Sequence, residues 1–212
     1  MSYIRKLLTI LPSLNCLLFF FTTIAALFAS AKNIADDPGV GWHLATGNHI
    51  LTNLKIPYVD PFLSIERPWV SDQWGSDVIL SCLYSLGGWP YLASAVGAIF
   101  IISFFIVLYR AIINEGSFTL PALIATLAAA KAAQIHYIIR PVIFSFLLFT
   151  VFLSLTRSTF IFQQTKNALP KSSWTIFPLL FLLWCNIHPS FLLGIAVMGL
   201  WPISLMVHQL LI

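Results

Sequence analysis

The chain has 212 residues, of which 59% are hydrophobic and only 8% charged, and it carries a net charge of +4 at neutral pH; its mean hydropathy is +0.91. A soluble domain charges about a quarter of its residues, so this composition argues against that class and makes lipid the solvent to reason with. The eleven basic residues are scattered at the ends of apolar runs and form no patch, which argues against a nucleic-acid partner and for a role in membrane orientation.

Continuous apolar runs of roughly 20 residues suit helices that cross hydrocarbon with every backbone group satisfied internally. They predict a single all-α, polytopic transmembrane domain of about six spans, at residues 7–31, 91–108, 118–133, 141–155, 174–187 and 191–212. Ahead of the first run stand Arg5 and Lys6, and Ala29-Ser30-Ala31 has the form of a signal-peptidase site. The run outlasts a signal-peptide core of about 7–15 residues, so a retained anchor is expected. Either outcome leaves the next loop on the same side.

That loop, residues 32–90, holds Asp36, Asp37, Asp60, Glu66, Asp72 and Asp77; Glu115 lies elsewhere. Within it, residues 42–54 suit a short interfacial helix of weak periodicity, interrupted by Gly47. Pro57 and Pro61 make residues 56–62 extended or turning. Residues 74–86 look helical but are short for a crossing and carry Asp77, so an interfacial or re-entrant helix ending at Gly87-Gly88 is expected. The chain ends within an apolar run, which suggests truncation at the C-terminus.

Basic residues accumulate on the cytoplasmic side of span ends. With the N-terminus inside, Arg5, Lys6, Arg110, Arg157, Lys166 and Lys171 are cytoplasmic, six of the eleven; a crossing at 74–86 would leave four inside. The large loop is therefore expected outside the cytoplasm. Cys16, Cys82 and Cys185 sit in apolar stretches without CxxC spacing and read as packing residues. His43 and His49, six apart, do not share the i, i+4 face of a helical metal pair, so no metal site is expected, and no cofactor is implied.

This topology gathers three polar groups at one membrane surface: Asp36-Asp37, the stretch from His136 to Arg140, and Asn186-Ile187-His188-Pro189-Ser190 between the last two spans. A carboxylate beside a bound hydroxyl can act as general base, while a fixed cation neutralises charge growing on a phosphate leaving group. Arg140 has the donor fork for phosphate, and Lys131 can add a point charge by snorkelling. Plainer readings stand beside these. Asp36-Asp37-Pro38-Gly39 is also a common solvated turn, Arg140-Pro141 a common span anchor, and Asn186 and His188 can simply satisfy a tight turn. Asp60, Glu66 and Asp72 read as solvated loop charges.

At these residues the chain resembles the C-type glycosyltransferase superfamily of membrane enzymes, and more closely its poorly characterised bacterial members. The resemblance rests on Asp36-Asp37, Trp42-His43-Leu44, Gly47, the run Pro57 to Ser64 with Asp60-Pro61-Phe62, Pro68-Trp69-Val70 and Trp74. It continues in Arg140-Pro141 with Phe144-Ser145, and in Trp184 to Gly194, covering essentially the whole chain. It implies a first periplasmic loop bearing the general base, Asp36 or Asp37, and an inverting transfer of a sugar from a polyprenyl-phosphate donor in the bilayer of the bacterial inner membrane. Arg140 would face the donor phosphate, Asn186 and His188 would line the pocket, and His43, Asp60 and Lys131 would contribute to substrate binding. The Asp-Glu pair of protein mannosyltransferases and the Trp-Trp-Asp signature of oligosaccharyltransferases are absent. A transporter or flippase of a polar or lipid-linked solute, or a non-catalytic assembly protein, would use the same polar groups for binding alone.

Overall fold

The computed structural model describes residues 37–109, 112–113, 116, 118–166 and 169–211; the expected span at 7–31 lies outside them. The described residues are helical: α1 (Val40–Asn53), α2 (Trp74–Ile101) continued by a π-helical segment Ile102–Tyr109, α3 (Thr119–Ala132) with a 3₁₀ turn Gln134–His136, α4 (Val142–Lys166), α5 (Ser173–Cys185) and α6 (Phe191–Leu211). Residues 54–73 form an irregular loop with an antiparallel bridge between Val59 and Pro68. By length and composition, Trp74–Phe105 and Val142–Phe160 are long and apolar enough to cross a membrane; α3, α5 and Phe191–Leu200 are shorter apolar helices.

The helix expected at 42–54 forms, but Gly47 does not interrupt it. A Cβ there would lie 2.0 Å from the Asp77 carbonyl oxygen and 2.7 Å from Ser81 Cβ, so the missing side chain lets α1 and α2 meet backbone to backbone. Weak periodicity follows from this, because the buried face of α1 is built from Thr46 and Gly47 as well as Val40 and Ile50. The loop beyond α1 folds back through an exposed aromatic group in which Trp42 meets Phe62 at 4.9 Å and Trp69 at 5.8 Å.

Helical structure starts at Trp74, well before the span expected at 91–108. The two stretches meet at Gly87 (φ −169°, ψ 23°) and Gly88 (φ 64°, ψ −154°), where the helix is broken. Only glycine adopts the Gly88 conformation freely. Pro90 follows, near the start of the second stretch, where the first turn needs no N–H. Helix α4 runs to Lys166, past the expected end at 155. Arg157, Gln163 and Gln164 end the apolar stretch, but polarity does not stop the backbone ladder, so helix and hydrocarbon crossing need not coincide.

Two apolar clusters organise the packing. One joins Val40 and Leu80 to Leu92, Val96, Phe100 and Phe105, and onward to Ile139, Ile143 and Ile187. The other, built on Phe152, Phe177 and Trp184, joins α4, α5 and α6.

Candidate functional site

Asp37 opens the described chain just ahead of α1, and Arg140 precedes Pro141 at the entry to α4. Although 103 residues apart, they form a two-pronged ion pair: Arg140 Nη2 donates to Asp37 Oδ1 at 2.9 Å and Arg140 Nε donates to Oδ2. Oδ1 also accepts the Gly39 N–H at 3.0 Å. The Asp37 side chain is 5% exposed and that of Arg140 49%. The guanidinium's hydrogen bonds hold the Asp37 carboxyl below its usual range against the opposing effect of burial, and the same pairing raises Arg140. Two of the five guanidinium N–H groups are thereby used, and the rest of the fork belongs to a half-exposed side chain.

The Asn186–His188 turn is clamped by the start of α2. Trp74 Nε1 donates to Asn186 Oδ1 at 2.8 Å, the Gly75 N–H to the Asn186 carbonyl at 2.9 Å, and Ser76 Oγ to the Ile187 carbonyl at 2.6 Å. Helix N-termini have orphan N–H groups, and here a carbonyl 111 residues away in sequence satisfies one. Gly75 is required by proximity, since a Cβ would lie 2.8 Å from that same oxygen. His188 Nδ1 accepts the Ser190 N–H at 3.1 Å, which leaves the proton of the neutral ring on Nε2. Burial pushes the His188 imidazolium down; Asp72 opposes this, and His43 and His136 reinforce it. Ser190 Oγ accepts from Trp184 Nε1 at 3.1 Å and donates to Ser145 Oγ at 2.7 Å, tying the turn to the first helical turn of α4 beyond Arg140.

Between these two groups lies a third. His43 Nδ1 and Asp77 Oδ1 are 2.7 Å apart, with side chains 17% and 5% exposed. The close approach at Gly47 sets this contact, because His43 stands one helical turn before it. Asp77 follows Trp74, Gly75 and Ser76, so the residue that meets His43 sits directly behind the clamp on Asn186 and Ile187.

Comparison of the chain with family models, curated proteins and solved structures returns no match. The site therefore rests on its geometry.

Asp37, Arg140, Asn186, His188 and His43 gather in one layer of the molecule. Asp36 lies outside the described residues. Asp60 is in the loop after α1, where Oδ1 accepts the Phe62 N–H at 2.9 Å and shapes a turn. Lys131 is exposed near the end of α3 and donates to Gln134 beside it. Asp77 is the residue that sequence reasoning passed over. Its signal was a lone acid on an otherwise apolar helical stretch, a placement that is costly unless the charge is paired. Among the described residues, no three His, Cys, Asp or Glu side chains converge as a metal-holding group.

Proposed function

We propose that this chain is an inverting glycosyltransferase that moves a sugar from a polyprenyl-phosphate donor to an acceptor hydroxyl. It works at the periplasmic face of a bacterial inner membrane, with the N-terminus cytoplasmic and about six spans. The observation that carries the reading is the half-exposed guanidinium of Arg140, fixed on one edge by Asp37 and set in the same layer as two histidines and the Asn186 turn. A preorganised cation with spare donors stabilises the charge that grows on a phosphate as it leaves, and it does so without reorganisation at the moment of reaction. Neutral His188, with its proton on Nε2, offers a further donor that does not compete for the phosphate as a second fixed charge.

The test is turnover by the full chain in phosphatidylethanolamine/phosphatidylglycerol vesicles, given a panel of radiolabelled hexoses and pentoses on short polyprenyl phosphates. Release of free polyprenyl phosphate is expected, and Arg140→Ala should slow it about 100-fold. Labelled solute that enters the vesicles chemically unchanged would point to a carrier instead.

A further inference from the structure

We propose that the proton acceptor of this site is His43 Nε2, held by Asp77 behind it, and that Asp37 serves to fix Arg140. This rests on the transferase reading. Two observations separate the roles. Both oxygens of Asp37 are engaged, by a guanidinium and by the Gly39 N–H, and a carboxylate so satisfied is a poor base. His43 is arranged the other way. Its Nδ1 lies 2.7 Å from Asp77 Oδ1. Burial raises the Asp77 carboxyl and the His43 contact opposes that rise; in the proposed assignment the ionised Asp77 accepts from Nδ1–H, which leaves the lone pair on Nε2, facing away from the pair. Nε2 makes no hydrogen bond among the described residues, and the side chain stays partly exposed while Asp77 is closed off.

Position supports the same assignment. A Cβ on Gly39 would lie 3.4 Å from Arg140 Nη2, and His43 is one turn further along that face of α1. On its other side, the clamp of α2 on Asn186 and Ile187 brings up the turn that carries His188. His43 thus stands between the cation suited to the leaving phosphate and the turn suited to line the sugar pocket. The charged and titratable groups around it are Asp77 and Asp72 from α2 and its approach, Asp37 ahead of α1, Arg140 ahead of α4, His136 from the 3₁₀ turn, and His188.

The step balances. The acceptor oxygen attacks the anomeric carbon from the face opposite the phosphate, and its proton passes to His43 Nε2. The bond from that carbon to the phosphate oxygen breaks, and polyprenyl phosphate leaves with the electron pair, beside Arg140. The imidazolium so formed faces the Asp77 carboxylate until it loses its proton to water. Asp77 is a positioning residue, because it acts only through His43.

The experiment uses the full chain in the same vesicles and the same donor panel, with water or an added alcohol as acceptor. His43→Gln should lower kcat about 100-fold or more. His43→Gly should regain turnover on addition of free imidazole, which a merely structural histidine would not do. Asp77→Glu should retain more activity than Asp77→Ala. Asp37→Asn should lower kcat only about 10-fold, because it loosens Arg140 without removing the base. If wild type turns over but His43→Gln matches it and Asp37→Asn has no turnover, the assignment to His43 is overturned and the transferase reading stands. No turnover by wild type with any donor would overturn both.

Discussion

Two regions of this molecule both bury apolar side chains but differ in what fixes their partners. In the layer formed by α1, the start of α2 and the turns at Arg140 and Asn186–His188, partners are fixed by directional polar bonds: Asp37 to Arg140, His43 to Asp77, Trp74 and Gly75 to Asn186, and Ser76 to Ile187. In the bundle of α4, α5 and α6, Phe152 instead packs among Phe177, Phe181 and Trp184 at ring separations of 5.6–6.3 Å. A ring removed from close packing leaves a cavity, whereas a hydrogen bond lost in the polar layer leaves a buried group unsatisfied. The polar layer is the one on which the proposed chemistry rests.

Substitutions should separate the two regions, and the largest effect is expected where backbones touch. Gly47→Val would force α1 away from the Asp77 carbonyl, at a cost of about 3 kcal/mol or more, and break the His43 contact. Proteolysis within residues 54–73 should then become fast while the α4–α6 bundle stays protected. Equal protection throughout would show that the layer does not depend on that approach. Phe152→Ala should do the converse: about 3–5 kcal/mol lost from thermal stability in detergent, with the polar layer's proteolytic protection unchanged.

Acid should act on the polar layer first. The folded Asp37 carboxyl is held below its unfolded value, so its stabilisation is fully present above about pH 4 and is lost as pH falls through the lower, folded value. Asp37→Asn should remove that limb of a pH-dependent melting curve, together with about 1–2 kcal/mol at neutral pH, a figure reduced because Arg140 is half in solvent. His188 works in a higher window. Its folded pKa is depressed, so stability is present above about pH 6.5 and declines as pH falls below it. His188→Asn, whose side-chain oxygen can replace Nδ1 as acceptor for the Ser190 N–H, should flatten that decline. The smallest effect is expected from Trp184→Phe, which keeps the ring against Phe181 but removes the donor to Ser190, costing about 1 kcal/mol by thermal melting.

Much of the helical layout was legible because it follows from local chemistry. Apolar runs mark α3, α5 and α6, and Gly87-Gly88 marks a break wherever the chain goes next. The boundaries of α2 and α4 were less legible, since hydropathy reports where lipid-compatible sequence begins and ends while helices continue through Asp77 at one end and Arg157 at the other. Of the site, Asp37, Arg140, Asn186 and His188 were recognisable as polar groups at the ends of apolar runs. What sequence alone determined is the all-helical, apolar character and the set of polar side chains available at the helix ends. Only the tertiary structure decided which acid pairs with which cation. Gly47 admits α2 close enough for Asp77 to take His43, while Arg140 engages Asp37, and contacts 34 and 103 residues apart depend on how backbones approach, which no local pattern encodes.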